Sequence, residues 1–203
     1  SLQIAGLHNW AQENSGNLNI DQGEGPLSIL NMRKVVDDMK YGVDLILMPF
    51  AIQRQLSAFY QEAGHTAPSV LGSFIWSRNE VGMPVAFFDN IPIRPTDYLV
   101  AEQKNTGAGS NARAKWTSGA NQYSVFFIKK GAATLRAVDP GLIYAFGGNN
   151  HTQGQPFRVE HLPRLPNYDA AGLSLFNYSS LLAGSSMSVG RIYDITDTPV
   201  TPS

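Results

Sequence analysis

Four histidines, His8, His65, His151 and His161, are the first places to look for metal or acid–base chemistry. No two of them stand four residues apart, the spacing that would put two ligands on one helix face, and none lies beside a carboxylate cluster of ligand type. They read as surface or hydrogen-bonded residues; His161, between Glu160 and Leu162 in a predicted strand, has the most context. Cysteine is absent, which removes disulfides and thiolate sites and fits a reducing cytosol without requiring one. Gly107-Ala108-Gly109-Ser110 follows no buried strand and opens no amphipathic helix, as a phosphate cradle must. Gly147-Gly148 lacks the Lys-Ser/Thr ending of a nucleotide loop and reads as a tight turn. Asp37-Asp38 are adjacent on a helix, face different ways and suit solvent better than acid–base catalysis. Gly184-Ser185-Ser186-Met187-Ser188 resembles a nucleophile elbow in composition only. Asn150-His151-Thr152 and Asn177-Tyr178-Ser179 match the glycosylation triplet, a pattern common by chance and unaccompanied here by an export signal. The expectation is a non-enzymatic protein with no catalytic residue, no metal site and no cofactor.

One segment remains. Residues 101–122 are small and polar, long enough to be an exposed loop with a task, and carry Lys104, Arg113, Lys115 and Trp116. Cations with an aromatic could bind single-stranded nucleic acid by charge and stacking, but these are sparse. Arg and Trp are equally favoured where proteins meet, so Arg113, Lys115 and Trp116 are the candidate subunit-interface residues. Fifteen basic against sixteen acidic residues leave a net charge of -1, so no overall field drives binding to nucleic acid or acidic lipid.

The framework that must hold this loop is legible in patches. At 203 residues and 43% hydrophobic content the chain can bury one substantial core, while 19 glycines and 12 prolines point to many turns and short strands. Ile29, Met32, Val35, Val36 and Met39 recur at helical period after Pro26, predicting an amphipathic helix that ends near Gly42. Val43 to Met48 is a short apolar run between Gly42 and Pro49 and reads as a buried strand. Ile52, Leu56, Phe59, Tyr60 and Ala63 then predict a helix from Pro49, in its first turn, to a stop at Gly64. Met83 to Phe88, a turn at Asp89-Asn90, and Ile91-Pro92-Ile93 predict a hairpin at a sheet edge. Short strands are expected at 123–128, 142–146, 157–161, 173–178 and 188–195. Alternation should bury one member of each of the pairs Phe87-Phe88 and Phe126-Phe127 in the core and leave the other nearer an interface or helix. No apolar run approaches the roughly 20 residues of a membrane helix.

The order of these pieces resembles the tailed-bacteriophage major capsid family. Gly42-Val43-Asp44-Leu45-Ile46-Leu47-Met48-Pro49 is similar to the segment that opens a helix of the family's axial domain. Gly82-Met83-Pro84-Val85 followed by Asn90-Ile91-Pro92-Ile93 is similar to a later strand pair. Ile4-Ala5-Gly6-Leu7 resembles the link from the spine helix, and Gly190-Arg191-Ile192-Tyr193-Asp194-Ile195 the closing strand. The resemblance implies an α+β, phage major-capsid-like fold: a mixed sheet flanked by two or more helices, with further strands in the second half. It implies a linking segment at 1–25, an axial-domain-like region at 26–186 with its loop at about 101–122, and a returning strand and polar tail at 187–203.

Function would then be structural: self-assembly into the pentamers and hexamers of a viral icosahedral capsid, beside neighbouring capsid proteins. The shell would enclose double-stranded DNA with only weak non-specific contact to it and no membrane partner. The localisation implied is the virion, assembled in the host bacterial cytoplasm. Nothing here matches the family's N-terminal arm, extended loop or spine helix, and the chain starts Ser1-Leu2-Gln3-Ile4 without Met, which implies a piece of a longer protein. An encapsulin-like compartment shell of the same fold is the main alternative; an α/β enzyme and a phage-tail or adhesion module are others.

Overall fold

The computed structural model describes residues 6–12, 14, 16–66, 74–78, 84–101, 121–131, 140–146, 158–162, 172–176 and 179–202. The chain enters through a short helix α1 (Leu7–Gln12) and a polar strand β1 (Asn19–Gly25), then builds helix α2 (Ile29–Asp38), strand β2 (Leu45–Met48) and helix α3 (Phe50–Thr66). Strands β3 (Phe74–Arg78), β4 (Pro84–Phe88), β5 (Ile91–Pro95) and β6 (Gln122–Ile128) follow. The second half adds β7 (Leu142–Phe146), β8 (Arg158–Leu162), β9 (Gly172–Phe176), β10 (Ser179–Ala183) and β11 (Val189–Thr196). Seven strands form one mixed sheet in the order β1-β11-β6-β2-β5-β4-β3; β7 pairs with β10 and β8 with β9 as separate ribbons. This is the expected α+β architecture of a mixed sheet, flanking helices and extra strands in the second half.

Local chemistry sets the helix ends. Ser28 caps α2, its Oγ accepting from the Asn31 N–H at 3.1 Å. The helix therefore starts at Ile29, later than Pro26, because Leu27 and Ser28 are extended and held by the C-terminal tail: Thr201 N–H donates to Leu27 O and Ile29 N–H to Thr201 O. It also ends before Gly42, at the Met39 cap. Pro49 sits just ahead of α3, its carbonyl accepting from Gln53 N–H, and the helix runs through Gly64 to Thr66 instead of stopping there.

The expected hairpin is present. Asp89 (φ 45°) and Asn90 (φ 66°) make the two-residue turn of consecutive left-handed residues that suits the twist of antiparallel strands. It is not at the edge of the sheet: β5 lies between β2, to which it is parallel, and β4, and β3 is the outer strand. The run Phe74–Arg78 was hidden among turn residues, so the sequence showed the hairpin but not the strand beyond it.

The sheet has two covered faces. Against one pack α2 and α3, burying Met32, Val35, Ile52, Leu56 and Tyr60 with Ile46, Phe88, Val125, Phe127 and Ile192. On the other, Phe126, Ile128 and Val189 meet Ala11, with Leu7 and Trp10 of α1 packed alongside. The phenylalanine pairs follow: Phe88 is buried and Phe87 half-buried, while Phe127 and Phe126 are both fully buried, on opposite faces, the second beneath α1.

Candidate assembly surfaces

The interface residues expected from the sequence, Arg113, Lys115 and Trp116, lie outside the described residues, as do Lys104, the glycines of the 101–122 segment, Gly147-Gly148 and His151. The remaining histidines are dispersed. His8 rests edge-on against the Phe126 ring, centroids 4.9 Å apart; His65 is in the last turn of α3; His161 faces Leu173 across the β8–β9 ribbon. Asp38 accepts a 2.8 Å hydrogen bond from Asn17 Nδ2 at an exposed position. Among the described residues no three His, Asp or Glu are grouped so as to hold a metal ion, and no helix is long and apolar enough to cross a membrane.

What the structure adds is a nested arm. Strands β6 and β11 pair in the main sheet, and between them in sequence β7 pairs with β10 and, between those, β8 with β9. The junction of the first two stages is tightly built. Lys129 N–H donates to Ser188 O, Leu142 N–H to Lys129 O, Gly131 N–H to Leu142 O and Gly184 N–H to Gly141 O. A side chain on Gly141 would collide with the backbone of Lys130 and Gly131, so glycine is required by proximity and not by backbone angle. Asp44 clips the strand start to the same corner, accepting from Lys129 Nζ at 3.0 Å and from Lys130 N–H at 2.9 Å. Trp10 Nε1 donates to Leu181 O at 3.3 Å, tying α1 to the β7–β10 ribbon.

The innermost ribbon has an unusual surface. Leu173 and Leu175 lie on one side of β9, 55% and 62% exposed, opposite His161 and Val159 in register. A two-stranded ribbon is marginal in water unless its apolar side is packed on something. Leu182 on β10, Ile75 and Trp76 on β3, and Tyr98 and Val100 after β5 are also exposed. These positions were missed in the sequence because each belongs to a five-residue strand or short turn, too brief for a periodic signal.

Beneath α1 lies a buried cation. Arg191 is 1% exposed; its Nε and Nη2 donate to Ser124 Oγ at 3.2 and 2.9 Å, and its guanidinium carbon sits 4.8 Å from the Tyr193 ring centroid and 5.7 Å from that of Phe126. Aromatic faces and a hydroxyl offset part of the desolvation of such a group. The arrangement fixes strand faces and offers no reacting atom.

No protein-family model matches the sequence, and no curated protein matches it. A chain of the solved holo-SrpI encapsulin complex from Synechococcus elongatus PCC 7942 is similar in structure, with a TM-score of 0.65 at 13% sequence identity. The similarity covers 95% of this chain and 57% of that one, so the chain spans less than two thirds of that protein's length. The class defined by this likeness is a fold: α+β and phage-capsid-like, as the order of the sequence motifs implied.

Proposed function

We propose that the chain is a subunit of a closed protein shell assembled from copies of itself, and that the shell is a compartment of the encapsulin type. The observation that carries this reading is the fold shared with an encapsulin chain over 95% of the present one. The exposed leucines of the β8–β9 ribbon support it, since a neighbouring subunit would cover Leu173 and Leu175. The segment bearing Arg113, Lys115 and Trp116 is a second contact between copies. In this reading the protein lowers no chemical barrier and binds no cofactor; repeated contacts about rotational axes are its whole action.

A viral capsid enclosing double-stranded DNA is the second reading, favoured by the order of the Val43–Pro49 and Gly82–Ile93 motifs. A net charge of -1 suits a container that does not adhere to packaged nucleic acid. The structural likeness favours the compartment. Mass photometry and negative-stain microscopy of the full-length gene product test the shell: megadalton closed particles are expected, and a discrete monomer or dimer overturns it. Nuclease-protected DNA inside such particles would turn the reading to a capsid, and protein cargo would support the compartment. Leu173→Lys with Leu175→Lys should leave folded subunits that no longer close into particles.

A further inference from the structure

The two outer strands of the main sheet are built differently. Among the described residues β1 pairs only with β11, and β3 only with β4. Strand β3 keeps continuous register with β4 over all five residues. Strand β1 keeps register with β11 only at Asn19, Ile20 and Asp21, then again at Gly25, which faces Ile195. Gln22, Gly23 and Glu24 therefore stand against the single residue Asp194. Gly23 (φ 59°) and Glu24 (φ 60°) are both left-handed, and so is Asp194 across from them (φ 63°).

A left-handed residue with a side chain is strained and persists only where its surroundings hold it. Here they do. Glu24 N–H donates to Asp194 Oδ2 at 3.0 Å, the Glu24 carboxylate accepts from the buried Gln122 Nε2 at 3.0 Å, and Gly23 N–H donates to Asp21 Oδ1 at 2.9 Å. Three strands, β1, β11 and β6, are thus committed to one bulge whose own residues, Gly23 and Glu24, are exposed and fill no part of the core.

We propose that this bulge is an edge guard: it closes the β1 side of the sheet to strand addition by a second copy of the chain. A strand approaching β1 meets at most three consecutive residues in ladder geometry before the backbone turns away, too few to hold it, and bulges of this kind are a known protection of sheet edges. The inference concerns the fold itself and does not depend on the shell reading.

The test has two arms. Deleting Gly23 and Glu24 leaves Gln22 facing Asp194 and makes the β1 register continuous. The deletion variant is expected to form open, concentration-dependent polymers in sedimentation velocity, bind thioflavin T, and keep the near-ultraviolet dichroism of the parent. If the deletion prevents folding, the second arm decides, since it needs no variant. A folded variant with the parent's size distribution overturns the proposal. The second arm uses the parent chain and no variant, comparing amide exchange of the peptide spanning residues 19–25 in dilute and concentrated protein. Unchanged exchange is expected; protection gained on self-association overturns the guard, whether or not closed shells form.

Discussion

The two faces of the central sheet are closed by different means. On the α2–α3 face, buried side chains from two amphipathic helices interlock with β2, β6 and β11 in one apolar cluster, with polar contacts such as Arg54 to Asp197 at its exposed margin. On the α1 face a helix of six residues covers Phe126, and polar anchors finish the closure: Asn14 Nδ2 donates to Ser186 O and Val189 O at 2.7 Å each, and Trp10 Nε1 to Leu181 O. Burial is equally complete beneath both, since Phe127 and Phe126 have no exposed surface. The difference teaches that a short helix can seal a sheet when directed hydrogen bonds position it, and that such a seal has more ways to give when a side chain is removed.

The sharpest test is a pair of truncations. Phe127→Ala should cost about 4–5 kcal/mol in urea unfolding, because two helices already packed on the sheet close poorly on the cavity, whereas Phe126→Ala should cost about 3 kcal/mol as α1 settles inward. Equal losses, or the reverse order, would remove the distinction between the faces. A subtler test is overpacking. A methyl group on Gly190 would come 2.5 Å from Val35 Cγ1 and 3.3 Å from Met39 Sδ, so α2 lies against bare backbone at β11. Gly190→Ala should destabilise by about 1–3 kcal/mol, with faster amide exchange in α2 and unchanged exchange in α1.

The helix-packed face was the one legible in the sequence. Met32 and Val35, Ile52 and Leu56 recur at a period that survives without knowledge of partners, and the Val43–Pro49 run announces a buried strand. The other face was not. Leu7–Gln12 is too short for a helical period to emerge, and Asn19–Gly25, polar with two glycines, reads as a linking segment because its strand geometry comes from pairing with β11. Arg191 sits in a strand where a cation suggests solvent; its burial follows from Phe126, Tyr193 and α1, which lie far away in sequence or are individually uninformative. The strands expected in the second half were found with small shifts, yet their nesting was invisible, and β10 went unread because the expected strand ended at Tyr178 and Ser179–Ala183 is too short and mixed to signal one of its own. Of the candidate site, the residues proposed for subunit contact lie outside the described structure, and the exposed leucines of β9 gave no signal because alternation does not say which side is covered.

Asn14→Ala probes the polar seal directly. It leaves the carbonyls of Ser186 and Val189 without this donor in a buried setting, at a cost of about 1–3 kcal/mol, and should accelerate exchange in α1 before any other helix.

The smallest effect is expected where the C-terminal tail crosses the helix-packed face. Asp197 accepts from Arg54 Nη2 at 2.8 Å and from Gln55 Nε2 at 2.7 Å, but the Arg54 side chain is 67% exposed, so water screens the pair and the long side chain loses entropy in holding it. Val200, buried beside α2, and the backbone bonds from Thr201 to Leu27 and Ile29 hold the tail more firmly. Arg54→Ala should therefore lower stability by under about 1 kcal/mol, and less at high salt, while Val200→Ala should cost more because it opens a cavity that the bonds at Thr201 prevent from collapsing. If Arg54→Ala proved the costlier of the two in urea unfolding, directed polar contacts would matter as much on the helix-packed face as beneath α1, and the contrast between the faces would fail.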